Sequence, residues 1–305
     1  MPVFRWDIDK TYLETDFQSL GGLWKAATEE AEEKISSDGV VSLVQNLQHL
    51  DQSYLIFLSG SPIQMKKVLL EKFALDGIEV DEIILKDTVG AISKGRFSDV
   101  RNQFGHKLPQ LLWSREKIQA ADFAGTEYLF GDDVELDALI YLTYKMILDG
   151  RLLWKDVRKI SKKMSVYPKV IAEMERRFSK VECSQAVQRI FIRLTTHVQP
   201  KWMQSLLPEV TPIHSWIQVA CVLFIDGVLD WSAVQAVISD EGASADMVAN
   251  LIQDLGMRHV LSREQLTCLL DRLGEARFVQ FEETPHDALK LIEFSQLMNI
   301  LEEVA

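Results

Sequence analysis

An α/β domain built on a parallel sheet, followed by an all-helical second half, is the architecture predicted by this 305-residue sequence. Up to about residue 150, short apolar runs alternate with helical patterns, the signature of βαβ units. Beyond Gly150, apolar residues recur at three- and four-residue spacing almost to the end, and no further alternating or β-branched run stands out. The length also exceeds one ordinary domain of ~100–200 residues, so 1–150 and 151–305 are expected as two domains.

The expected strands are Val3–Trp6, Tyr54–Leu58, Glu82–Leu85 and Tyr128–Phe130, with helices at Gly39–Gln48, Pro62–Ala74, Lys107–Gln119 and Glu135–Leu148. Ser61-Pro62 offers an N-cap and an N1 proline for the second helix. Asp149-Gly150 should end a helix, and Leu152-Leu153-Trp154 opens the next pattern, which sets the boundary. In the second half, Asp149-Gly150-Arg151-Leu152 is echoed by Asp226-Gly227-Val228-Leu229, with a looser third copy from Val260 to Leu266. The copies are unequally spaced, which argues against a solenoid. Lys145 and Ile147 stand where calcium-loop oxygen ligands would be needed, so calcium is not expected there.

Hydrophobic residues at 47% and charged residues at 26% describe a globular chain. Cys183, Cys221 and Cys268 have no metal or disulfide spacing and read as small hydrophobes. No stretch reaches the ~18 apolar residues of a membrane span, and with the cysteine pattern this suggests a reducing, cytoplasmic setting. The net charge of −12 is uneven: residues 151–193 hold 12 basic against 4 acidic side chains. An acidic chain is not expected to bind nucleic acid, but its one basic stretch reads either as a solvated face answering acidic neighbours or as a dock for an anionic partner.

The chemistry is concentrated at predicted strand ends. Asp7-Ile8-Asp9-Lys10-Thr11 follows the first strand, where open α/β sheets bind ligands. Two carboxylates on one turn can share a hard cation, one attacking phosphorus while the other manages the proton. Alone, such a pair is as readily a turn or a cap. Ser59 ends the second strand, with a hydroxyl and amides suited to a phosphate oxygen. Lys107 opens the helix before the fourth strand, where an ammonium can neutralise a second oxygen. Asp132 and Asp133 end the fourth strand as oxygen ligands for Mg2+. His106 reads as a surface residue at a helix start, and Lys86 as a rival to Lys107.

This set, in this order, resembles the haloacid-dehalogenase (HAD) superfamily, and is most similar to the catalytic domain of actin-patch-type phosphatidate phosphatases and their bacterial relatives. The likeness rests on Asp7 to Thr11, Ser59-Gly60-Ser61-Pro62, Leu85-Lys86-Asp87, His106-Lys107 and Gly131-Asp132-Asp133 continuing to Asp137-Ala138-Leu139-Ile140-Tyr141, and it covers residues 3–148. The resemblance implies a HAD-like Rossmannoid sheet with Asp7 as nucleophile and Asp9 as general acid and base. Ser59 and Lys107 would hold the phosphoryl group, and Asp7, Asp9 (through its carbonyl), Asp132 and Asp133 would bind Mg2+. Asp137 would orient that loop or its lysine. The second acid, Asp9, favours phosphate hydrolysis over carbon–halogen cleavage.

Lys10 stands where phosphatidate phosphatases commonly carry a third acid. The segments from Thr11 to Tyr54, with a short helix expected around Leu23–Ile35, and from Lys86 to His106, through Gly90, Gly95 and Gly105, are too short for more than a minimal cap. The expected function is therefore Mg2+-dependent hydrolysis of a phosphomonoester: a small molecule, a lipid headgroup or a phosphoprotein. Residues 151–305 either help to cover the site, with Arg158, Lys162 and Lys163 near an anionic substrate, or engage a protein partner. The competing class is a scaffold protein with a weak or inactive HAD domain.

Overall fold

The computed structural model describes residues 1–14, 30–87, 102–123, 125–195, 200–274 and 291–304. The chain order is β1 (Val3–Trp6), a 3-10 turn (Ala31–Glu33), α1 (Val40–Gln48), β2 (Tyr54–Pro62), a second 3-10 turn (Ile63–Met65), α2 (Lys66–Leu75), β3 (Glu82–Lys86), α3 (Phe104–Ala120), β4 (Glu127–Asp132) and α4 (Asp137–Leu148). It continues with α5 (Trp154–Lys163), α6 (Pro168–Phe178), β5 (Val187–Arg193), α7 (Lys201–Gln204), β6 (Thr211–Ile213), α8 (Trp216–Ile225), α9 (Trp231–Asp240), α10 (Ala245–Met257), α11 (Arg263–Arg272) and α12 (Phe294–Val304). Gly90, Gly95 and most of the helix expected around Leu23–Ile35 lie outside the described residues, and the described end of that helix is the first 3-10 turn.

The sheet has six parallel strands in the order β3-β2-β1-β4-β5-β6. The α/β, Rossmannoid expectation is met, with further helices after it. The all-helical description of residues 151–305 needs correction, because β5 and β6 come from that half and pair in sequence beside β4. In β5, Val187, Ile190 and Ile192 face one core and Phe191 the other, but Gln188, Arg189 and Arg193 interrupt the apolar run and hide the alternation. β6 is three residues long and contains Pro212, a residue tolerated at a sheet edge.

Alternation along each strand builds two cores. Phe4, Trp6, Phe57 and Phe130 point to the face covered by α1, α2 and α8–α11, whereas Val3, Ile56, Leu58 and Leu129 point to the face covered by α3–α6 and α12. Trp6 and Phe130 stack with centroids 3.9 Å apart, and Trp216 of α8 joins them and donates its indole N–H to Ser37 Oγ at 2.7 Å. Helices from after residue 150 therefore pack on both faces of the sheet. The two Asp-Gly repeats serve as helix stops: Gly150 (φ 70°) and Gly227 (φ 72°) take the left-handed conformation that glycine adopts without strain.

Several expected boundaries shift, and those around β2 and α3 bear on the site. Strand β2 runs on through Ser59 to Pro62, which pairs with Lys86 after a register shift, so Ser61-Pro62 is not the cap of α2. A 3-10 turn intervenes, and α2 starts at Lys66. Helix α3 begins at Phe104, which places Lys107 one turn inside it.

At the opposite end of the strands from Asp7 lies a dry ionic cluster. Arg5 Nε donates to Glu127 Oε2 at 2.6 Å, Arg115 Nη1 donates to Glu127 Oε1 at 2.8 Å, and the Tyr144 hydroxyl lies 3.0 Å from Oε2. Burial alone would raise the Glu127 carboxyl, but Arg5, Arg115 and Tyr144 outweigh it and hold it below the usual carboxylate range. A depressed folded-state value stabilises the fold above the unfolded pKa of ~4.3, and this contribution disappears as pH falls through the folded value. Glu127→Gln, which leaves two buried guanidinium groups facing a neutral amide, is expected to cost ~3–5 kcal/mol at pH 7. Urea titrations at pH 7 and in acid should show that deficit shrinking as the wild type loses the same contact. A constant deficit would mean that charge is not what Glu127 contributes.

Candidate active site

The carboxyl ends of β1, β2 and β4 and the first turn of α3 carry five of the predicted groups, Asp7, Asp9, Ser59, Lys107 and Asp132. Asp7 leaves β1, and its amide donates to the Phe130 carbonyl at 2.8 Å, which fixes it beside β4. Lys107 Nζ donates to Asp7 Oδ1 at 2.6 Å and to Asp137 Oδ1 at 2.5 Å, and Glu135 Oε2 lies 2.8 Å away. Lys107, Asp7, Asp132 and Asp137 are all fully buried. Asp132 ends β4 and its Oδ1 accepts the amides of Val134 (2.6 Å) and Glu135 (3.0 Å), so the loop after the strand folds around its carboxylate.

Asp9 faces β2. Its Oδ2 accepts the hydroxyls of Ser59 at 2.6 Å and Ser61 at 2.8 Å, and the Ser61 amide donates to Ser59 Oγ at 2.8 Å. The extension of β2 past Leu58 puts both hydroxyls within reach of the β1 loop. Lys10 holds a left-handed backbone (φ 60°), and its carbonyl accepts Arg193 Nη1 at 2.9 Å, so the new strand β5 braces the Asp7–Asp9 turn.

Asp133 is not drawn into the cluster. Its Oδ1 accepts the amide (2.9 Å) and hydroxyl (2.7 Å) of Thr195, which turns the side chain toward the end of β5. Carboxylate oxygens of Asp7, Asp132 and Asp137 instead lie within 4.8 Å of one another. Lys86, the rival lysine, is buried and donates to the Asn102 carbonyl at 3.4 Å. His106 is not a surface residue: its ring is part-buried against the Ser59 carbonyl, Nε2 to O 3.0 Å. Burial, with Lys86 next in effect, lowers its pKa to about 3, so the neutral imidazole donates from Nε2 and ties α3 to β2.

Electrostatically the pocket holds more acid than one lysine can balance. Burial raises Asp7 well above the carboxylate range, with Lys107 opposing and Asp137 and Glu135 adding to the rise. Burial and then Asp137 raise Asp132 to about 8, and burial, offset by Lys107, raises Asp137 to about 6. Burial would lower Lys107, but Asp137, Asp7 and Glu135 together hold it well above its usual value. Asp7 Oδ2, Asp132 Oδ2 and Asp137 Oδ2 are buried with no hydrogen-bond donor. Three orphaned carboxylate oxygens around one space suit a hard divalent cation.

Sequence reasoning did not single out Ser61, Glu135 or Arg193. Ser61 was assigned to a helix cap, Glu135 depends on the folding of the loop after β4, and Arg193 sits on a strand that was not recognised. Asp137 had a second-rank role, although its place at the head of α4 brings it into the centre.

No curated protein and no solved structure matches the chain. Residues 6–154 match the family model described as phosphatidate phosphatase APP1, catalytic domain, a stretch that runs from the last residue of β1 to the start of α5 and holds every residue of the acid cluster. Over residues 6–154 the chain is therefore similar to the phosphatidate phosphatase APP1 catalytic domain.

Proposed function

We propose that this protein is a Mg2+-dependent phosphomonoesterase of the HAD type, acting on a phosphatidate-like or similarly bulky ester. The observation that carries the reading is the buried contact of Lys107 with Asp7 and Asp137, beside three carboxylate oxygens that lack donors.

In this reading Asp7 attacks phosphorus and the bond to the ester oxygen breaks. Asp9 delivers a proton to the departing oxygen, so the alcohol leaves neutral and an aspartyl-phosphate remains on Asp7. Asp9, now a carboxylate, takes a proton from water, whose oxygen attacks the same phosphorus. The P–O bond to Asp7 breaks, and inorganic phosphate and the free carboxylate result. The hydroxyls of Ser59 and Ser61 hold Asp9 in line for both proton transfers, and Lys107 draws charge from the phosphoryl oxygens. Asp7, Asp132 and Asp137 would hold the Mg2+, which when bound balances the excess acid and the charge of the phosphoryl group.

The test is turnover of p-nitrophenyl phosphate by the full chain with Mg2+ and with EDTA. Hydrolysis that requires Mg2+ is expected, and inactivity in both would overturn the reading. Asp132→Ala should raise the Mg2+ concentration needed for half-maximal rate by more than ~10-fold. Asp133→Ala, which removes only the Thr195 contacts, should leave it nearly unchanged. The reverse order would exchange the two acids.

A further inference from the structure

The loops that carry the site also carry exposed apolar side chains. Ile63, two residues beyond Ser61, is 47% exposed, and Val134, whose amide donates to Asp132, is 40% exposed. Helix α4 starts at the site end of the sheet and α5 returns to it. The turn after α5 is fixed there by Asn102 Nδ2, which donates to the carbonyls of Met164 at 2.9 Å and Ser165 at 3.2 Å, five residues before Lys107.

That return delivers the basic stretch to the rim. Lys155, Arg158, Lys159, Lys162 and Lys163 are all exposed on α5. At ~100° per residue they fall in an arc of about 140°, opposite buried Val157, Ile160 and Ser161. Lys159 and Lys163 are engaged by Phe294 and Glu302 of α12. Lys162, at the site end of α5, and Lys169, at the start of α6, are exposed and make no ion pair among the described residues. Lys66, three residues after Ile63, is likewise exposed. Of the acids on these loops, Glu135 is held on Lys107, Asp133 on Thr195 and Glu14 on Arg193, whereas Glu32 and Glu33 of the 3-10 turn packed on α2 are exposed.

We infer that this rim docks the site end of the sheet onto an anionic lipid surface, with Lys66, Lys162 and Lys169 drawn to the headgroups and Ile63 and Val134 entering the interface. Apolar tips flanked by cations fit a bilayer boundary, where both contributions add. The basic rim on a chain of net charge −12 gives the complementarity a direction. A phosphomonoester in the headgroup layer then meets Asp7 without leaving the membrane. The inference rests on the phosphomonoesterase reading for that last step, but the docking surface does not.

The experiment is co-sedimentation of the full chain with vesicles of phosphatidylcholine plus phosphatidylserine, which offers no phosphomonoester, against phosphatidylcholine alone. Binding to the mixed vesicles that weakens with salt is expected. The triple variant Lys66→Gln, Lys162→Gln, Lys169→Gln should lower the partition by about a hundred-fold, at roughly fivefold per lysine. Ile63→Asp should lower it while leaving its salt dependence in place. Both variants should turn over p-nitrophenyl phosphate at the wild-type rate. Equal sedimentation with both vesicle types, or unaltered binding by the triple variant, would overturn the inference. So would slowed hydrolysis of a soluble phosphopeptide by the triple variant without vesicle binding, which would assign the rim to a protein substrate. Vesicle binding without any hydrolysis would sink the phosphomonoesterase reading alone.

Discussion

Asp7→Asn should lower turnover of p-nitrophenyl phosphate by ~10⁴-fold or more, the scale seen when a nucleophile is removed from an assembled site. The amide has the shape of the carboxylate but cannot form the acyl phosphate. Folding should not suffer: Asp7 is one of several buried acids sharing Lys107, and losing one charge relieves repulsion. The melting temperature of the metal-free variant is therefore expected at or above that of the wild type. Acid-quenched wild-type enzyme should show the added mass of a phosphoryl group that the variant lacks. Substantial Mg2+-dependent turnover by Asp7→Asn would assign the attack to another group.

Lys107→Met should damage both activity and stability. The ammonium is fully buried, with carboxylate oxygens of Asp7, Asp137 and Glu135 within 2.8 Å. Removing one partner of a buried ionic cluster typically costs ~3–5 kcal/mol, because the remaining charges stay dry and unpaired. Activity should fall by ~10²–10³-fold, the range for losing one preorganised charge-stabilising group. The pH dependence gives the sign. Asp132 and Asp137 are raised to about 8 and about 6, so their burial costs nothing below the unfolded value of ~3.9 and destabilises the metal-free fold as pH rises through their folded values. In the variant these values move higher still, so the stability deficit should stay level up to about pH 6 and grow from there toward pH 8, where the wild-type acids ionise and those of the variant do not. Urea titrations across that range decide it: a deficit independent of pH would mean that Lys107 acts by packing alone.

The sequence made parts of this site legible for a physical reason. Asp7, Asp9, Ser59 and Asp132 each follow or close a short apolar run, so local hydrophobicity located the chemistry, and Lys107 followed from its place in the first turn of a helix. Val3–Trp6 has the expected bounds, because four consecutive residues buried on both faces leave no competing pattern. What depended on distant partners was not legible. Arg189 and Arg193 make Val187–Arg193 look like a surface segment. In the fold, the first is held bidentately by Asp226 at 2.8 and 2.7 Å, and the second bonds the Lys10 carbonyl. Ser61 resembled a cap because Ser-Pro commonly starts a helix, whereas the bulge in β2 sends its hydroxyl to Asp9. The separation of Asp132 from Asp133 needed Thr195, 62 residues later.

Strand β5 also separates two ideas of what a domain is. The stretch shared with other proteins ends at residue 154, after the last carboxylate of the cluster, yet β4 pairs along its whole length with a strand that begins at Val187. The matched stretch is thus shorter than the unit of folding. A fragment cut at the family boundary would keep every acid and lose the neighbour of β4, leaving Phe130 and Leu129 on a bare hydrogen-bonding edge of the kind that templates aggregation. Expression trials, domain swaps and fusions on this scaffold should take their end points from the sheet together with the helices that cover it, beyond α11, rather than from the extent of the match.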